Sequence, residues 1–245
     1  MWQESRCTWA KTLHICACSS VVERLVYTQD VVGSTPTERT KGVVMLKVLG
    51  KLPRDVTVAV SGGPDSMAIL DFLSNNHNVT AAYFDHGTPF GNKCKGFVKE
   101  FCDERDINLV VGVNFNSCPP DESLEEHWRN ERYKFLHSFN EPVVTGHNLD
   151  DVIEWYLFSS LHGQSKIIPY RNKNVIRPFI LSPKRSLEDW CNRKEVPFLV
   201  DPANEDKKFM RSIIRHDILP NARLVNPGIE KTIKKLVEKS YESTS

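Results

Sequence analysis

Six consecutive residues, Ser61-Gly62-Gly63-Pro64-Asp65-Ser66, combine two glycines, two hydroxyls, a proline and a carboxylate. Glycines let a backbone turn sharply and come close to a ligand. Pro64 suits the first position of a helix, where its missing N–H costs nothing. Free N–H groups at a helix start, joined by the Ser61 and Ser66 hydroxyls, make a cradle for phosphate. A Walker loop would end in Gly-Lys-Ser/Thr, and that lysine is absent here. Asp65 in this place would repel phosphate unless a Mg²⁺ lay between them, so Asp65 is the candidate metal ligand. Taken alone, a Gly-Gly pair is equally consistent with a plain strand-to-helix turn.

Other constellations carry charge at helical spacing. His147, Asp151 and Glu154 fall at i, i+4 and i+7. A helix starting near His147 would stack them on one face and turn Val152 and Trp155 towards the core. Such a face could hold Mg²⁺ or a cationic amine, or could simply be a solvated acidic helix start. Arg129 and Arg132 lie three apart and suit bidentate recognition of phosphate or carboxylate. They could also pair with Glu125, Glu126 or Glu131. Arg211 and Arg215 are spaced i, i+4 after the turn Asp201–Asn204, with Lys207 and Lys208 nearby. A basic cluster of this kind fits RNA phosphate contacts. Phe198 and Phe209 could stack on an unpaired base, or be core.

The elements that must carry these residues alternate. Val56–Val60, Val79–Asp85, Ile107–Val113 and Pro142–Thr145 read as strands. Met67–Leu73, Lys93–Arg105, Glu122–Phe139 and Asp150–Leu161 read as the helices after them. This predicts an α/β fold, a parallel sheet with helices on both faces, followed by a small helical C-terminal segment that includes Ile229–Lys239. Ligands of such sheets sit at the carboxyl ends of the strands, here the turns after Val60, Phe84, Val113 and Thr145. Residues 45–165 carry 10 basic and 17 acidic side chains, residues 166–245 the reverse, 17 and 10. That asymmetry suggests either a polyanion-binding surface or a solvated basic face in the second half. The expected organisation is a nucleotide-binding core over 45–165 and a basic extension over 166–245. Residues 1–44 have no sustained period and read as a disordered or spurious leader. No apolar run is long enough for a membrane-spanning helix. The 7 cysteines form no Cys-x-x-Cys pair, which points to reduced thiols in a cytosol-like compartment.

The string Ser61–Ser66 resembles the SGGxDS signature of the ATP-pyrophosphatase (PP-loop) family. Further motifs resemble its tRNA(Ile)-lysidine synthetase branch: Asp85-His86-Gly87, Glu125–Leu136, Thr145–Glu154, Ile176–Phe179 with Arg185, Asp201–Asn204, and Arg211–Arg215 with Pro220. They keep their order from Val56 to Pro227. The resemblance implies an enzyme that uses ATP and Mg²⁺ to adenylate the wobble cytidine of tRNA(Ile) with a CAU anticodon. Free L-lysine then displaces AMP. It further implies that Ser61, Gly62, Gly63, Pro64, Asp65 and Ser66 hold ATP. Asp65, Arg129, His147, Asp151 and Glu154 would act at the reacting groups, and Arg185, Asp201, Asn204, Arg211 and Arg215 on the tRNA side. Arg132 would be structural. A cytoplasmic protein, with a homodimer as one option, is the matching expectation. Ala203, Asn148, Trp155 and Ser212 depart from the branch's pattern. Other readings are another PP-loop tRNA-modifying or amide-forming enzyme, or a catalytically silent tRNA-binding module.

Overall fold

The computed structural model describes residues 46–114, 116–202 and 210–243. The expectations for residues 1–44, and for Asn204, Lys207, Lys208 and Phe209, lie outside the described residues.

Strand β1 (Asp55–Val60) is a β-branched run buried on both faces, as a strand covered by helices on each side must be. It pairs in parallel with β2 (Asn78–Asp85) on one side and with β4 (Val143–Val144) on the other. β3 (Asn108–Val113) extends the first side and β6 (Val175–Ile176) the second, again in parallel. β5 (Arg171–Asn172) closes the edge antiparallel to β6. The order is therefore β3-β2-β1-β4-β6-β5. The α/β expectation holds. The sheet also runs past residue 165 into β5 and β6, so the 45–165 and 166–245 division cuts through it.

The connecting helices are α1 (Pro64–Ser74), α2 (Pro89–Asp103), α3 (Leu124–His137) and α4 (Leu149–Leu161). Prolines open α1 and α2, where a missing N–H is harmless. Thr88, Ser123 and Asn148 cap α2, α3 and α4 by accepting hydrogen bonds from backbone N–H groups of the first turn. The core has two main parts. Met67, Ile69, Leu70 and Leu73 of α1 pack against β1, Phe179, and Leu187 and Cys191 of α5 (Lys184–Lys194). Leu149, Val152 and Ile153 of α4 pack against Ile180, Leu181, and Ile229, Ile233 and Val237 of α8 (Ile229–Glu242). Between these, α6 (Met210–Ile213) runs through a π-helical turn, Ile214–Ile218, into α7 (Leu219–Val225). Pro220 explains the wide turn: its ring and absent N–H break the regular ladder, and the Leu219 amide reaches back to the Ile214 carbonyl instead.

Two expectations about the fourth helix are corrected. It starts at Leu149, not near His147, because Asn148 sits in extended backbone (φ −121°, ψ 179°) and forms a capping box with Asp151. His147 therefore lies in the turn before the helix. Trp155 is only half-buried and stacks on Phe158, with ring centroids 5.6 Å apart, rather than entering the core.

Candidate functional site

From β1 the chain passes to β2 and β3 on one side, then returns to β4 on the other. A crevice at the carboxyl ends of β1 and β4 is the geometric result of that reversal. Both constellations singled out in the sequence open onto it: the turn after β1 leads into α1, and the turn after β4 into α4. The two turns touch. A Cβ on Gly146 would stand 3.4 Å from the Ser66 amide nitrogen and 3.6 Å from the Asp65 Cβ, so the two turns are in van der Waals reach of each other.

The Ser61–Ser66 turn is held from within. Gly62 adopts φ +84°, open to glycine at little cost. The Ser61 amide donates to Ser66 Oγ at 3.1 Å, and that hydroxyl donates to the Gly63 carbonyl at 3.0 Å. From outside, the Leu199 amide donates to the Gly62 carbonyl at 2.8 Å. The segment leading to Asp201 thus braces this turn; burial, with Asp201 adding to it, raises the pKa of Cys94, whose Sγ would lie 3.5 Å from a Cβ on Gly62.

Asp65 has the least satisfied carboxylate here: its Oδ1 is buried and accepts no hydrogen bond. Burial raises its pKa to about 7; Lys184 opposes the shift, and Asp151 and Glu188 add to it. Asp151 spends one carboxylate oxygen on the Asn148 amide at 3.0 Å. Burial raises its pKa to about 6, against that hydrogen bond. Glu154 is buried and grips Arg215 with both oxygens, at 2.6 Å to Nε and 2.9 Å to Nη2. His147 shares a 2.9 Å hydrogen bond with the Thr145 hydroxyl. Burial, then the Arg177, Arg132, Arg129 and Arg211 guanidiniums, push its pKa down to about 3, so it is neutral.

That last shift locates the positive charge. Arg129 and Arg132 of α3 and Arg211 of α6 all act on His147. All three are exposed, and among the described residues none meets a carboxylate at ion-pair distance. The alternative of pairing within α3 is not what forms: Glu131 binds Lys134 and Asn116, and Arg129 lies over the Tyr133 ring at 5.1 Å. Arg215, expected beside Arg211 facing RNA, instead turns inward to Glu154. The π turn at Ile214–Ile218 interrupts the regular spacing that would have kept the two arginines on one face. Arg185 is exposed on α5.

Two contributors were not singled out by type and spacing. Lys184 acts on both Asp65 and Asp151. Arg177 is buried and ties α3 to the β5 edge, donating to Tyr133 Oη at 2.9 Å and the Pro169 carbonyl at 2.8 Å. A lysine just after a proline, three residues beyond the apolar Ile180-Leu181 pair, was the only signal for Lys184. Arg132, singled out with Arg129 and then expected to be structural, meets no carboxylate at ion-pair distance among the described residues and acts on His147.

The PP-loop domain family model matches residues 38–222. The chain belongs to this family. Among curated proteins, the tRNA(Ile)-lysidine synthase of Thermosipho africanus is 32% identical over 218 residues, covering 78% of this chain and 49% of the relative. Those of a Thermotoga strain and of Francisella philomiragia are 30% and 26% identical, covering 76% and 84% of this chain. The chain spans about half the length of the curated relatives it matches. The match takes in every element facing the crevice, from β1 to α7.

Proposed function

We propose that this chain catalyses the ATP-dependent joining of lysine to the wobble cytidine of an isoleucine tRNA with a CAU anticodon. The observation that carries the reading is the crevice at the strand reversal. There the Ser61–Ser66 turn, read as the PP-loop, and the orphaned Asp65 carboxylate lie against the turn that carries His147 and leads to Asp151. Arg129, Arg132 and Arg211, which meet no carboxylate at ion-pair distance among the described residues, act on His147.

The triphosphate of ATP would lie along the PP-loop, with the N-terminus of α1 directed at it. The cytosine O2 attacks the α-phosphorus, and the bond to the β-phosphate breaks, releasing pyrophosphate. The ε-amine of lysine, having lost a proton, then attacks C2, and the C2–O bond breaks to release AMP. Adenylation turns a poor leaving oxygen into a good one. The arginines offset negative charge on the departing pyrophosphate and on RNA phosphate.

The residues present fit a Mg²⁺ ion. Asp65 Oδ1 is a buried acceptor without a donor, and Asp151 lies near enough to raise its pKa. Mg²⁺ typically takes one or two protein carboxylates and completes its shell with phosphate and water. When bound it supplies neutralisation of the triphosphate, held by Asp65 with Asp151 beside it. Glu154 is committed to Arg215, and Asp151, 3.9 Å from the same guanidinium and bonded to the Asn148 amide, is the carboxylate left closer to Asp65 and to an incoming amine. His147, neutral and anchored to Thr145, supplies a ring nitrogen rather than a charge.

Incubation with tRNA, ATP and labelled lysine, followed by mass analysis of the nucleosides, tests the proposal. Lysidine is the expected product. A thiolated base would reassign the chemistry within the family, and unmodified RNA with no ATP consumed would overturn catalysis altogether.

A further inference from the structure

An aromatic wall stands at the mouth of the crevice that the chemistry above does not use. His86 follows the carboxyl end of β2, next to β1 in the sheet. Its ring is backed by Phe84, with centroids 5.0 Å apart, and faced by Trp128 of α3 at 5.3 Å with a 39° tilt. Phe84 in turn rests on Phe135 at 5.6 Å. His86 Nδ1 is buried and has no hydrogen-bond partner. Burial and nearby Arg132 push the pKa of His86 down to about 4, so the ring is neutral and the indole meets no cation there. Trp128 is half-buried, flanked in sequence by Arg129 and one helical turn from Arg132. A large indole left partly exposed beside guanidiniums that meet no carboxylate among the described residues is the composition of a site for unpaired nucleic acid: rings for a base and cations for its phosphates.

We propose that Trp128, held by His86, is the stacking platform for an unpaired base of the RNA substrate, and that Arg129 and Arg132 hold the adjacent phosphates. The proposal rests on the RNA-modifying reading above and adds which residues grip the base. Trp128 is a positioning residue: it touches the substrate's ring face and takes no part in bond making. The orphaned His86 nitrogen offers one hydrogen bond to the base edge or to the sugar. The same ring chemistry could serve the adenine of ATP, and the two sources are separable by experiment.

The test measures equilibrium binding of two probes, ATP and a stem-loop RNA bearing an unpaired cytidine in its loop, by wild type and by the Trp128→Ala and Trp128→Phe variants. Loss of a stacked ring weakens binding of a base by roughly 5- to 100-fold, from about 1–3 kcal/mol. Trp128→Ala should therefore lose RNA affinity within that range, Trp128→Phe should recover most of it, and ATP affinity should stay within about twofold. The salt dependence of RNA binding should keep its slope in Trp128→Ala. In Arg129→Gln or Arg132→Gln the slope should fall by about one each, because a phosphate contact and not a stack has been lost. A loss of ATP affinity with RNA binding intact would assign the wall to adenine and overturn the proposal. Unchanged binding of both probes, in a variant that keeps its thermal stability, would reduce the ring pair to packing. Wild type that binds no RNA would overturn the functional reading itself, a result distinct from both.

Discussion

Asp65 is the residue whose environment says most. A carboxyl with a pKa near 7 is one the fold would rather keep protonated. The unfolded chain releases that proton near the usual value of 3.8, the folded protein only at about 7, so ionising Asp65 withdraws stability as pH rises between the two. Asp65→Asn removes the penalty. The variant should melt a few degrees above wild type at pH 8, from about 1–3 kcal/mol, with the difference vanishing near pH 4. Adding ATP and Mg²⁺ should raise the melting temperature of wild type and not of the variant, which should also release no pyrophosphate. Undiminished release would contradict the role given to Asp65. Glu154 makes the opposite case. Its two hydrogen bonds satisfy Arg215 inside the fold, so Glu154→Ala leaves a guanidinium only one-third exposed with no carboxylate nearer than Asp151 at 3.9 Å. Breaking such a pair costs about 2 kcal/mol, discounted here for that exposure, or roughly 5 °C in melting temperature. Glu154→Gln, which still accepts one hydrogen bond, should lose less.

Which elements form was legible because their signals are local. Val56–Val60 is β-branched at every position but Ala59, Pro64 and Pro89 open helices, and the alternation of strands with helices implies a parallel sheet. What could not be read depends on long-range partners. The pairing of Glu154 with Arg215 spans 61 positions, and no helical periodicity announces it. Asn148 as a cap, rather than a substitute histidine, moved the helix start and took His147 off its face. β5 and β6 are two residues each, too short for any periodic signal. The close approaches between elements are equally silent in sequence, and glycines make them. Gly112 of β3 has Phe135 of α3 so near that a Cβ would sit 2.6 Å from its ring. Gly112→Ala should cost about 1–3 kcal/mol and push away the helix that carries Arg129 and Arg132. Gly146→Ala is the mild counterpart. The added methyl would meet the Ser66 amide nitrogen at 3.4 Å, an ordinary van der Waals contact, so the two turns need not part. Thermal stability should drop by less than about 3 °C, and a larger drop would mean that the turns are packed more tightly than that contact.

For the molecule as a whole, the charge asymmetry between its halves is partly spent inside the fold. Arg215 is held by Glu154, and Arg223 by Asp150 at 2.7 Å and Glu230 at 3.3 Å. These contacts draw the basic second half onto α4 and leave fewer cations for a partner than composition suggests. Positive charge that meets no carboxylate among the described residues gathers near His147 instead, on Arg129, Arg132 and Arg211, two of which come from the acidic half. Lys231, Lys235 and Lys239 form a second exposed row along α8. RNA that enters the crevice must contact the first set, and RNA lying along the C-terminal helix must contact the second. Counterion release separates them, because each phosphate contact contributes about 0.7–0.9 to the slope of log affinity against log salt. Replacing the three arginines with glutamine should flatten that slope by roughly 2–3, and replacing the three α8 lysines should change it by less than about one. The reverse pattern would move the RNA onto α8 and leave the crevice arginines serving the triphosphate alone.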